Sequence, residues 1–166
     1  MSACKHDALP LVIRYCRDDA EVLALSISRS IASGYMTGDV ACWDVAHGAA
    51  ETILGPQKGA ALAAAITAVV RAIRAERRRE WSFLPATCCR VTRDEQDLVS
   101  LLQAARSSAA SDVAAQAARL VDLPASGRLA AAALHAAAIM DEVAASIRLP
   151  TEGTVRYGRP HATLLQ

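Results

Sequence analysis

QKGAALAAAITAVVRAI, residues 57–73, decides the fold. Leu62, Ile66, Val69, Val70 and Ile73 recur at steps of three and four, the repeat of one helix face. Most positions between them are alanine, the best helix former. Gly55-Pro56 just ahead stops one helix and opens the next. The spacing predicts a long third helix from Gln57 to about Trp81. Alanine blocks recur at Ala60–Ala65, Ala114–Ala118 and Ala130–Ala138, while Phe, Trp and Tyr make up only 4% of the chain. Helices of this composition are slim, and their backbones can approach closely. The expected fold is therefore all-α: a compact bundle of about six helices forming a single domain over residues 1–148, with an irregular, extended C-terminal tail over 149–166.

Working outward, Ala8 to Cys16 is ambiguous. Leu9, Leu11 and Ile13 alternate as in a strand, but no partner strand is evident, so a helix is favoured. Asp18 or Asp19 caps a first helix that should end at Gly34. Asp39 caps a second, Val40 to Leu54, whose apolar side is read as Cys42, Val45, Ala49 and Ile53. Ser82 to Val91 is a loop. Thr92-Arg93-Asp94-Glu95 is a capping box, ahead of a fourth helix that buries Leu98, Leu101, Leu102 and Ala105. Ser111 should cap a fifth helix to about Leu123. After a turn at Pro124 to Gly127, a sixth runs to about Ile147, with Leu129, Ala136, Met140, Val143 and Ile147 on one face.

The 166 residues carry a net charge of +1, so no global charge argues for nucleic acid or a membrane surface. The longest uncharged apolar run, Gly59 to Val70, is too short to span a bilayer. Five cysteines, two of them adjacent, do not read as a disulfide framework, and a reducing, cytoplasmic setting is expected. The weight of alanine and arginine hints at a GC-rich bacterial gene.

Three groups of residues offer chemistry, each beside a plainer reading. Asp44, His47 and Glu51 stand at i, i+3 and i+7 on the second helix, a row that would suit a metal ion or proton transfer in a small helical enzyme. It equally suits a solvent face, as do His135 and Glu142 on the sixth helix. Cys88 and Cys89 precede a helix N-terminus, with Arg90 and Arg93 close by, an arrangement that favours a reactive or metal-binding thiolate. With Cys4, Cys16 or His161 they would make a redox or metal sensor; the plainer reading is packing of a small apolar side chain in the loop. Arg71, Arg74 and Arg78 form a basic stripe on the third helix, extended by Arg77 and Arg79, for an acidic partner or for phosphates. A solvated helix end explains the same run, and the scarcity of aromatics disfavours nucleic acid. No phosphate loop, nucleophile elbow or dinucleotide fingerprint is present. The expectation is a non-catalytic interaction or regulatory protein without a cofactor. It should self-associate as a homodimer through the third or sixth helix and the tail, because alanine-rich helices bury little apolar area each.

Overall fold

A computed structural model of the chain describes residues 8–107, 110–123 and 127–147. Within them six helices pack together: α1 (Asp19–Thr37), α2 (Ala41–Leu54), α3 (Pro56–Glu76), α4 (Arg93–Arg106), α5 (Ala110–Val121) and α6 (Gly127–Ala144). The all-α expectation holds, and α3 is the hub, flanked by α1, α2 and α6. All six helices feed one core, in which Leu62, Ile66, Val69, Val70 and Ile73 meet Leu98, Leu101 and Leu102. The expected tail, residues 149–166, lies outside the described residues, as do Cys4 and His161.

Several boundaries differ from the sequence reading. Gly34 does not end α1. The helix runs on to Gly38, whose φ of 73° is the left-handed cap that favours glycine. Gly34 is instead buried in the helix, where an added Cβ would collide with the Trp43 indole on α2. Its role is close helix approach, which composition cannot tell from helix termination. The capping of α1 by Asp18 (Oδ1 accepts from Glu21 N, 3.0 Å) follows the sequence; α2 begins at Ala41, one residue later than expected, with Val40 at the N-cap position, and Asp39 Oδ1 accepts from Ala41 N (2.9 Å) just ahead of it.

α2 is rotated from the expected face. Ala46 and Ala50 are buried, while Val45 is 59% exposed. Of the expected face, Cys42, Ala49 and Ile53 are half-buried and Ile53 packs against the core, so the error is a partial rotation that leaves Val45 outside. Small residues face inward because α2 lies almost on the backbone of α3; a Cβ on Gly59 would come within 2.5 Å of the Glu51 backbone.

α3 ends at Glu76, not Trp81. Arg77 adopts an extended conformation and turns inward to reach Asp94 and the Leu120 carbonyl. The predicted opening helix is a single 3₁₀ turn, Val12–Arg14. Leu11 pairs antiparallel with Arg90, as Val12 N donates to Cys89 O (2.8 Å) and Val91 N to Pro10 O (2.9 Å). Among the described residues strand character is confined to this one bridge, whose partner lies in the loop before α4; Ile13, the third alternating residue, sits in the 3₁₀ turn and is 74% exposed while Val12 is buried. Ser111 lies inside α5 rather than ahead of it, because the helix already begins at Ala110. That helix ends at Asp122 (φ 60°), with Leu123 N bonded back to Ala118 O. α6 stops at Ala144, and one further turn carries the buried Ile147.

Candidate functional site

The capping box is formed. Thr92 Oγ1 accepts from Glu95 N (3.1 Å), and Glu95 Oε2 accepts from Thr92 N (2.8 Å). Glu95 does more than cap, because Arg29 of α1 grips the same carboxylate through Nε (2.7 Å) and Nη2 (3.0 Å). The remaining Arg29 hydrogens reach the carbonyls of Cys88 (2.6 Å) and Arg90, while Leu84 N donates to Glu95 Oε1 (3.0 Å). Both side chains are almost wholly buried. This clamp fixes the path of residues 84–92, and with it the cysteine pair. Sequence reading missed Arg29, although a signal was present: it is the only charged residue between Val22 and Gly38, set among residues that must be buried.

The predicted site residues do not converge. Cys88 is half-buried and Cys89 exposed; the Cys88 carbonyl accepts from the Arg29 guanidinium and the Cys89 carbonyl from Val12 N. Cys16 is half-buried; burial first, and then the Glu21 carboxylate, push its thiol up to about 12, so it is protonated at neutral pH. Asp44 and Glu51 are exposed on α2 and His47 is half-buried. His135 and Glu142 are exposed on α6. Among the described residues no three His, Cys, Asp or Glu side chains gather as metal ligands.

The arginine stripe is broken. Arg71 and Arg74 ride on α3 and are exposed, but Arg78 lies beyond its end, so the three do not share a helix face. Arg77 is buried, ion-paired to Asp94 at 2.7 Å, with Nη1 donating to Leu120 O (3.1 Å). Burial alone would lift the Asp94 carboxyl; the bond and charge of Arg77, with the N–H of Ser82, hold it below the ordinary aspartate value. A third ionic group joins Arg106 to Asp18 (2.7 Å), Glu21 (3.0 Å) and Asp141 (2.7 Å), tying α4 to α1 and α6.

Three arginines of the extended run, Arg74, Arg77 and Arg79, do border a cavity. The end of α1, the end of α3 and residues 77–83 enclose about 210 Å³, mainly between apolar and aromatic side chains. Arg74 stacks on the Tyr35 ring at 4.1 Å, and Tyr35 meets Trp43 edge-on at 4.7 Å. Trp81 and Phe83, 5.7 Å apart, line the cavity. Arg77 Nε and Trp81 Nε1, both on lining residues, are buried without a hydrogen-bond acceptor. Sequence reading placed Trp81 at a helix end and had no means of setting it beside the same cavity as Tyr35, which forms only when α1 and α3 pack.

No protein-family model, curated protein or solved structure matches the chain.

Proposed function

We propose that the chain is a non-catalytic interaction or regulatory module that works as a homodimer. The observation that carries this reading is the group of bare aliphatic side chains around the α1–α2 turn: Met36 is 76% exposed, Val40 70% and Val45 59%. On α6 only Leu134 is a comparably exposed large apolar residue, and among the described residues α3 has none. These side chains, more clustered than the isolated Ile13 (74% exposed) near the N-terminal end, support a seam at the α1–α2 end.

Charge supports a second copy as the occupant. Asp39 and Val45 line one side of this end, with Asp44 adjacent in sequence, while Arg74 and Arg79 line the cavity that Met36 shares on the other. A two-fold axis through the patch sets each cationic flank against the carboxylate flank of the other copy. Burying each valine or methionine from water contributes about 1.5–3 kcal/mol before the losses of association. A reducing, cytoplasmic setting is part of the same proposal, on the odd number of cysteines and the adjacent pair in the sequence.

Sedimentation velocity across the micromolar range tests the proposal. The wild type is expected to sediment as a dimer, and Val40→Asp/Val45→Asp as a folded monomer. A wild-type monomer throughout that range, or a dimer untouched by both substitutions, overturns it.

A further inference from the structure

We propose that the cavity between α1, α3 and residues 77–83 binds a small neutral arene, a single aromatic ring with at most a short arm. The inference stands apart from self-association. It rests on three observations: where the aromatic residues lie, how large the space is, and how its charges are matched.

The chain holds six aromatic residues, one Phe, two Trp and three Tyr. Three of them, Tyr35, Trp81 and Phe83, line this one cavity, and a fourth, Trp43, meets Tyr35 edge-on at 4.7 Å. Among the described residues no wholly buried apolar side chain is aromatic. The rings therefore gather around open space instead of filling the core. Trp81 and Phe83 stand 5.7 Å apart, tilted by 42°. Rings favour edge-to-face or offset partners with centroids roughly 4.5–7 Å apart, and an arene entering here meets such partners on more than one wall.

The cavity encloses about 210 Å³, with Ala32, Val70 and Ile73 among its aliphatic walls. A dry apolar cavity of roughly 150 Å³ accepts benzene, so this space takes one ring with a short alkyl arm. Met36, which lines the cavity and is 76% exposed, marks the way in.

Charge sets the ligand as neutral. Arg77 and Arg79 pair with Asp94 at 2.7 Å and 3.5 Å, and the Asp97 carboxylate lies in the field of both. Arg74 lies over the Tyr35 ring at 4.1 Å, and Glu80 lines the same cavity. Three arginines thus stand against three carboxylates. An ion of either sign would leave water for a site with no unmatched opposite charge, which is costly. A neutral ring meets no such penalty.

The test is NMR titration of the full chain with toluene, with benzoate and benzylammonium as its anionic and cationic counterparts. Toluene should bind saturably, one per chain. Its ring current should move the methyl resonances of Ala32, Val70 and Ile73 more than those of Val113 and Leu129, which are buried outside the lining. Benzoate and benzylammonium should each bind at least about tenfold more weakly, because the charge must be desolvated without a partner. Phenol should bind several-fold more tightly than cyclohexanol, its saturated counterpart, because only the aromatic ring gains from the ring walls. Ala32→Leu, at a buried lining position, should take up the space and abolish toluene binding. The methyl map is read on the unaltered protein, so it decides the matter should that variant not fold. No saturable toluene binding, shifts spread evenly over the core, a benzoate or benzylammonium affinity equal to that of toluene, no preference for phenol over cyclohexanol, or undiminished toluene binding by folded Ala32→Leu protein would each overturn the proposal.

Discussion

Two arginines, Arg29 and Arg77, are each buried in a helical protein short of aromatic residues, and they end differently. Arg29 is saturated: a carboxylate and loop carbonyls accept its hydrogens, and Glu95 is matched in turn by the backbone of Leu84 and Thr92. Arg77 is held at one end by Asp94 and Leu120, but its Nε–H is buried without an acceptor. A buried cation whose bonds are complete is a structural fastener. One left with a buried, unmet donor carries a cost that its ion pair must offset. Burial is common to both, so only the hydrogen-bond inventory separates them.

The first way to break this contrast is Arg29→Met. Leaving Glu95 buried without its cation should cost about 3–5 kcal/mol in urea unfolding, and Arg29→Met/Glu95→Leu should recover part of that loss. If the single change costs no more than an exposed arginine does, the clamp is not a fastener.

Leu101→Ala provides the apolar benchmark beside it. Leu101 is wholly buried where α4 meets the core, and its loss should cost about 2–5 kcal/mol.

Thr92→Ala should cost about 1 kcal/mol and Thr92→Ser much less, since the hydroxyl both accepts from Glu95 N and donates to the Ser82 carbonyl (2.7 Å). Equal effects of the two substitutions would remove the hydroxyl from the argument.

Acid sharpens the Arg77 side. The Asp94 carboxyl is held below its ordinary value, so its contribution is complete above the unfolded aspartate value of about 3.9 and is lost as pH falls through the lower, folded value. Thermal melting of wild type and Asp94→Asn should therefore differ at neutral pH and converge in acid. A gap that persists at low pH would show that the carboxylate charge is not its source.

The smallest effects belong to the exposed arginines. Arg71→Gln should stay within about 0.5 kcal/mol of wild type. Arg74→Gln should cost slightly more, about 0.5–1 kcal/mol, because its guanidinium lies over Tyr35. If the two prove equal, that stacking contributes nothing.

Much of the architecture was legible without coordinates. Periodicity placed α2 to α6 to within a few residues, and Thr92 and Glu95 were read correctly as a cap, because capping and helix periodicity are local and act over a turn or two. The errors share one cause. Gly34, Val45, Arg77 and Leu11 were each assigned from neighbours in sequence, while their roles depend on partners in other segments: Trp43 for Gly34, the close α2–α3 approach for Val45, Asp94 for Arg77 and Arg90 for Leu11.

The same division runs through the candidate sites. Asp44, His47, Glu51, Cys88 and Cys89 were chosen because reactive side chains stood close together along the chain, yet no group of three ligands forms around them among the described residues. The cavity was invisible because Tyr35, Arg74 and Trp81 are remote in sequence and carry no shared motif. The sequence by itself determined that this protein is helical, where most helices begin, and that its core is built from alanine and branched aliphatics, since these follow from backbone propensity and a repeat of 3.6 residues. Only the tertiary structure decided which face of α2 is buried, where α3 ends, and which buried donors go unmet, because each depends on the packing of segments far apart along the chain.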